Sequence, residues 1–322
     1  MDIVTHAMIG GTMAAGVFPE RPGLAIGLAV GNVLPDLDAF SRLGGKNAFM
    51  RFHQTYTHSI AAVSGVVTVA VITTLIPRGP IWLLMLSMVA WGTALGMLTH
   101  IGLDLTNSYG IKCLWPISNR RYKLDWIFFI DVPIVVLSAV TLALMYMHHT
   151  FGWWIDRSMF DVALIYLLVL MAYVMIRAAL WQRARRLAGP DDAAVAVIPT
   201  AWPPTRYLVC RSSDHACVTS RLSVLSGRHA DGVEVPIYDD DAPSELIDSV
   251  PWRTMRSLSS FFHVVEIEAI DGDGVPDNPA EPSAGFRLRC DDLRIRNFGT
   301  AFGRLDCRID RAGRLSDVRW NV

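Results

Sequence analysis

Gly31-Asn32-Val33-Leu34-Pro35-Asp36-Leu37-Asp38 and, fifteen residues on, His53-Gln54-Thr55-Tyr56-Thr57-His58-Ser59 put two carboxylates and two imidazoles into a short polar window between strongly apolar segments. Ionisable side chains are costly beside a bilayer, and those present are usually paired or functional. The window reads as half of a metal site at the ends of membrane helices.

The flanks supply the membrane. The chain has 322 residues, 52% of them hydrophobic, and a mean hydropathy of +0.34, more apolar than an ordinary soluble domain. Residues 1–189 carry nine acids against fourteen Lys and Arg, a balance of +5, and residues 190–322 carry twenty-one acids against fifteen bases, a balance of −6. The first part is expected to be membrane and the second soluble. Residues 3–18 and 23–35 are apolar, short for a span of about 20 residues, and rich in glycine, as in a tightly packed helical hairpin turning at 19–22. Residues 58–77, 81–105, 126–147 and 160–182 complete about six helical segments. Beyond 189 the texture changes to short alternating runs at 207–210, 216–219, 262–267, 286–290 and 305–309, separated by Gly, Pro and Asp. The expected fold class is therefore an all-α polytopic membrane domain followed by a small β-rich soluble domain: 1–186 membrane, 187–200 linker, 201–322 β-rich.

Short cytoplasmic loops gather Lys and Arg. With the amino terminus inside, the inner loops hold Arg42, Lys46, Arg51, Lys112, Arg120, Arg121, Lys123, Arg183, Arg185 and Arg186, and the outer ones Arg21, Arg78 and Arg157, ten against three. Both termini are expected in the cytoplasm of a multi-pass membrane protein, with Cys210, Cys217, Cys290 and Cys307 as reduced thiols. The first segment lacks a basic leader, so no cleavable signal peptide is expected.

On that topology His6, Asp36, Asp38, His53, His58, His100 and Asp104 all fall at helix ends on one side. His100 and Asp104, four apart on a helix, share a face and can reach one ion. Asp36 and Asp38 follow Pro35 and are expected in extended or turn backbone with both carboxylates pointing the same way. Thr57 is expected to cap the next helix, with His58 in its first turn. Nitrogen and oxygen donors without thiolates suit two or three divalent ions, zinc first and manganese second, in an open hydrolytic site rather than a structural zinc finger. Thr5, Thr57 and Thr99, each before a histidine, and Asp131 at the start of a span are expected to support these residues; Asp131 could instead pair with Arg120 or Arg121. Arg51, Lys112, Arg120 and Arg121 form a cationic rim suited to an anionic substrate, although membrane topology alone explains the same bases. His148 and His149 fall on the far side, and His215, His229 and His263 lack ligand spacing. Residues 271–277 have the texture of a calcium loop but lack its terminal glutamate and read as a polar turn.

Thr-His-Ala at 5–7, Leu-Pro-Asp-Leu-Asp at 34–38, His-Gln-Thr-Tyr-Thr-His-Ser at 53–59 and Thr-His-Ile-Gly-Leu-Asp-Leu-Thr-Asn at 99–107 together resemble the YdjM-like bacterial inner-membrane proteins, described as membrane-bound metal-dependent hydrolases. The resemblance covers roughly 1–180 and implies the same seven His and Asp residues as metal ligands; where a base usually follows the first loop histidine, this chain has Gln54. In ligand types alone it is similar to the zinc-dependent phospholipase C and P1 nuclease group. The expected function is hydrolysis of a phosphoester of a lipid or lipid-linked substrate by metal-activated hydroxide at the cytoplasmic face, with Asp38 or Asp104 as general base. The alternative is a non-enzymatic divalent-metal carrier or sensor. Nothing points to nucleic acid.

Overall fold

The computed structural model describes residues 1–77, 79–152, 158–189, 194–270, 285–298, 303–310 and 314–321. Arg78, Asp156, Arg157 and the 271–277 motif lie outside them. The chain forms two compact units, Met1–Trp181 with Pro199–Pro204, and Gln182–Ile198 with Thr205–Val322.

The first unit is helical: α1 (Ile3–Val17), α2 (Pro22–Val33), a 3-10 continuation (Leu34–Gly44), α3 (Lys46–Phe52), α4 (Ile60–Leu75), α5 (Ile81–Leu105), α6 (Val132–Phe151) and α7 (Met159–Leu187). Four segments, 22–44, Ile81–Leu105, Val132–Phe151 and Met159–Leu187, are long and apolar enough to cross a membrane, and Ile3–Val17 and Ile60–Leu75 are shorter apolar helices. These are the six segments expected from the sequence.

Their boundaries follow local chemistry. Asp2 caps α1, accepting from the Val4 and Thr5 amides at 3.1 and 3.0 Å. Helix α4 starts two residues later than expected, because Ser59 rather than Thr57 is the cap, accepting from the Ala62 amide at 3.2 Å. Helix α6 starts at Val132, not at 126, with Pro133 in its first turn, where a missing N–H costs nothing; the Trp126 and Ile127 amides donate instead to the Thr106 carbonyl. Ser158 and Asp161 exchange hydrogen bonds as a capping box at the start of α7, so Asp161 is used by its own helix end.

The glycines of α2 and α5 set the helix spacing. A Cβ on Gly27 or Gly31 would stand 2.2 Å from the Val89 or Thr93 carbonyl, and one on Gly92 or Gly96 would stand 2.4 or 2.7 Å from the Leu24 or Leu28 carbonyl. Two small-xxx-small stripes thus face each other with backbone against backbone, the close approach that drives helix association where lipid offers no hydrophobic gain. This seam places the end of α2 beside the last turns of α5. A buried cluster of Ile9, Leu103, Ile127, Ile134, Tyr166, Leu170 and Val174 packs α1, α5, α6 and α7 together.

The second unit contains two four-stranded sheets, in the order β1-β2-β3-β4 and β5-β6-β7-β8. The strands are β1 (Ala194–Pro199), β2 (Arg206–Ser212), β3 (Ala216–Ser223), β4 (His229–Pro236), β5 (Phe262–Ile270), β6 (Gly285–Asp292), β7 (Arg304–Asp310) and β8 (Leu315–Asn321), with short helices α8 (Ser244–Ile247) and α9 (Val250–Leu258) before β5. The interval expected as linker, 187–200, carries β1. All five expected strands are present, and Cys210, Cys217, Cys290 and Cys307 are buried free thiols packed as small core residues. On the other face of the second sheet Glu266, Arg289, Asp306 and Arg319 pair in register across all four strands, an alternating-charge ladder that keeps that face wet.

Candidate metal centre

Pro35 does not stop the helix; it enters the first turn of the 3-10 segment, where its fixed φ is tolerated. With about three residues per turn, side chains two apart diverge by about 240°, so Asp36 and Asp38 do not point the same way. They close instead on the two ends of one ring. Asp36 Oδ1 lies 3.4 Å from His58 Nε2, and Asp38 Oδ2 lies 3.2 Å from His58 Nδ1.

Around His58 Nε2 the other donors collect. Asp36, His58, His100 and Asp104, all buried, present one donor atom each within 4.8 Å of one another. His58 Nε2 is 3.1 Å from His100 Nε2 and 3.4 Å from Asp104 Oδ2, and His100 Nε2 is 3.6 Å from Asp36 Oδ1 and 3.5 Å from Asp104 Oδ2. Four tetrahedral donors at zinc bond lengths stand about 3.4 Å apart, and five of the six separations here run from 3.1 to 3.6 Å.

The surrounding hydrogen bonds decide what these atoms offer. His100 Nδ1 meets the Asn32 carbonyl at 2.8 Å; a carbonyl only accepts, so Nδ1 carries the proton and Nε2 presents a lone pair. His58 Nδ1 faces the Asp38 carboxylate in the same sense. Two imidazole lone pairs and two carboxylate oxygens therefore converge in a buried space with no donor of their own, which only a cation satisfies. Asp36 Oδ2 and His6 Nδ1 are also buried without a hydrogen-bond partner. In the absence of an ion a proton takes the place: burial disfavours charge on His58, but the hydrogen bonds and fields of Asp36 and Asp38 outweigh it and lift its pKa above the ordinary imidazole value. The donor set thus fits a divalent ion.

The other expected residues divide. His6 stacks on His100 with ring centroids 3.6 Å apart, and its Nε2 is 3.2 Å from Asp104 Oδ1, an oxygen that the Met1 amino group also contacts. Asp38 is fully engaged and is not one of the four: Oδ1 by His53 Nδ1 at 2.6 Å, Oδ2 by the Gln54 amide at 2.9 Å, the Thr57 hydroxyl at 2.8 Å and the outer nitrogen of His58. His53 is not in the cluster; it lies against Phe49 and is a quarter exposed. Thr57 supports the site through Asp38, whereas Thr5 is spent on Asp2 and Thr99 on the Leu95 carbonyl. Asp131 pairs with neither Arg120 nor Arg121. It accepts from the Tyr173 hydroxyl at 2.8 Å and lies 3.6 Å from Arg177, and burial holds its pKa above the carboxylate range against Arg177's charge. Arg51 and Arg120 lie over the rings of Phe52 and Tyr122, while Arg121 reaches inward to Gln54.

Two residues escaped the sequence reading although each left a signal. Asn32 is the polar residue ending a glycine-rich apolar helix, and its carbonyl sets the His100 tautomer. Arg177 is the single charge between Asp161 and Arg183, and its guanidinium joins Asp131 to the Thr200 and Pro204 carbonyls.

The Bacillus subtilis (strain 168) protein described as "Uncharacterized protein YfhP" is 26% identical to the chain over 202 residues, 58% of this chain and 56% of that protein. The chain thus spans little more than half the length of this curated relative. No solved structure matches it. The model of the YdjM inner membrane protein family matches residues 1–183, the stretch that holds every donor of the cluster and more than half of the chain. The chain belongs to the YdjM inner membrane protein family.

Proposed function

We propose that this protein is a membrane-embedded, metal-dependent hydrolase that cleaves a phosphoester of a lipid or lipid-linked substrate, with its site and both termini on the cytoplasmic side. The observation that carries the metal half is the convergence of His58 Nε2, His100 Nε2 and the Asp36 and Asp104 carboxylates on one buried point. A divalent ion bound there, zinc before manganese, supplies Lewis acidity and an acidified water. Asp36, His58, His100 and Asp104 hold it, and His6, beside the second oxygen of Asp104, offers donors to a second ion. Asp38 works by fixing His58 and His53 rather than as a free base, since both its oxygens are taken. His53, the histidine of the set that solvent reaches, is placed to carry protons. Lipid is favoured because the donors sit at the ends of apolar helices, where headgroups would lie if those helices cross a bilayer.

A complete set of four protein donors also suits an ion that is held rather than used, so the second reading is a divalent-metal carrier or sensor. Metal analysis of the purified chain, followed by a screen against phospholipids, isoprenoid phosphates and simple phosphodiesters, separates the two. The hydrolase reading expects at least one bound transition-metal ion, lost on joint His58→Ala and Asp104→Ala substitution, and metal-dependent turnover. Stoichiometric metal with no turnover, and metal uptake into vesicles, supports the carrier; a metal-free chain with its ligands intact removes both. A reporter fused after Val322 that is active only in the periplasm inverts the topology.

A further inference from the structure

The four cations of the expected rim are not equivalent. Arg51 and Arg120 cover aromatic rings at exposed positions, but Arg121 and Lys112 are half-buried, and the Arg121 guanidinium and the Lys112 main chain both meet Gln54. Arg121 Nη1 donates to Gln54 Oε1 at 3.0 Å and to the Gly110 carbonyl at 2.9 Å, and the Lys112 amide donates to the Gln54 carbonyl at 3.1 Å. Gln54 itself has a left-handed φ of 58°, a conformation a side chain rarely adopts without compensation, and its amide donates to Asp38 Oδ2. One residue thus ties the Arg121 guanidinium, and the main chain that carries Lys112, to the carboxylate that holds His58.

These cations are unbalanced. Among the described residues neither has a carboxylate within 4.0 Å, and Arg121 is held by two neutral oxygens. Burial pulls Arg121 down to about 10, with Asp38 opposing, and burial and Arg121 together lower Lys112. Asp38 cannot neutralise them, because His53, Gln54, Thr57 and His58 already occupy it. Two half-buried like charges, Arg121 fixed by neutral oxygens and Lys112 close enough to feel its field, create a position that an anion relieves.

We infer that Arg121 and Lys112, organised by Gln54, form an anion subsite beside the metal centre that binds the phosphate group of the substrate, with Gln54 as the positioning residue. The inference rests on the hydrolase reading for the substrate's identity but not for the subsite's existence. It is tested on the purified full chain in nonionic detergent, with zinc loaded and after chelation, by titrating inorganic phosphate and, separately, dihexanoyl phosphatidic acid, with zinc content measured on each sample. Arg121→Gln is expected to weaken phosphate binding by about tenfold or more at unchanged zinc content. Arg121→Lys should recover part of that loss. Gln54→Ala, which keeps the amide bonded to Asp38, should weaken binding while leaving zinc in place. Tighter binding of phosphatidic acid than of phosphate supports a lipid-borne anion, and equal or weaker binding supports a soluble one. Phosphate that fails to bind, or binds equally to wild type, Arg121→Gln and Gln54→Ala at full zinc content, overturns the subsite and leaves the metal centre standing; absent zinc in the wild type overturns the metal centre, while cation-dependent phosphate binding after chelation keeps the subsite.

Discussion

Replacing Asp38 by asparagine isolates what this carboxylate contributes. Every group that faces it donates: His53 Nδ1 at 2.6 Å, the Thr57 hydroxyl at 2.8 Å, the Gln54 amide at 2.9 Å and His58 Nδ1 at 3.2 Å. An amide of the same shape turns an NH2 toward at least one donor and removes the charge that keeps the proton on His58 Nδ1, freeing the ring to adopt the tautomer that cannot ligate through Nε2. Groups that orient metal-bound histidines in this way are worth about 10- to 100-fold in metal affinity, which is about 1.4 to 2.7 kcal/mol. Competition of the purified variant against a zinc chelator, with thermal unfolding followed in parallel, measures it. A dissociation constant raised by that factor in a folded protein is expected. Unchanged affinity would refute the view that Asp38 acts on the ion through His58, and a loss as large as that of His58→Ala would make Asp38 a ligand.

Three further outcomes follow from geometry already described. Gly31→Ala drives a Cβ to 2.2 Å from the Thr93 carbonyl; the α2–α5 seam must open, at about 1–3 kcal/mol of stability, and chelator competition should show weaker zinc binding because the Asn32 carbonyl is drawn from His100, whereas Gly102→Ala, with nothing within 4 Å, should change neither. Arg177→Met should destabilise the chain by about 3–5 kcal/mol in detergent unfolding by stranding Asp131, and adding Asp131→Asn should recover much of it, because removing both partners of a buried pair leaves no bare charge. Metal affinity should fall with pH: His58's pKa is raised, so its proton is bound more tightly than on a free imidazole, and below that raised value an ion must displace it, at about tenfold per pH unit for one proton; titration by calorimetry in buffers of different ionisation enthalpy counts the proton released.

Hydropathy and spacing made much of this legible. The six apolar segments, the five strands and the pairing of His100 with Asp104 all follow from runs and intervals along the chain. What escaped depends on backbone geometry. The residues after Pro35 form a 3-10 helix rather than an extended turn, and that choice sends Asp36 to the cluster and Asp38 to its support. Thr5, Thr57 and Thr99 share one dipeptide, yet a hydroxyl that can return to its own helix or its own cap does so, and only Thr57, outside a helix, is left for the site. Asp131 looked equally able to join the metals or the loop arginines. Its partner lies in the middle of α7, a tertiary neighbour that no local pattern announces.

The glycine seam between α2 and α5 has a consequence for ion choice. Asp36 follows directly from one helix and His100 and Asp104 sit on the other, so the 3.6 Å between Asp36 Oδ1 and His100 Nε2 spans two segments whose main chains are already in contact. Donors spaced at 3.1–3.6 Å match the separation of about 3.4 Å that four tetrahedral donors take at zinc bond lengths. Calcium asks for six to eight oxygens at about 2.3–2.6 Å, whereas two of the four donors here are imidazole nitrogens. On the metal reading proposed above, the smallest residues in the membrane would set the width of the site without touching its ion.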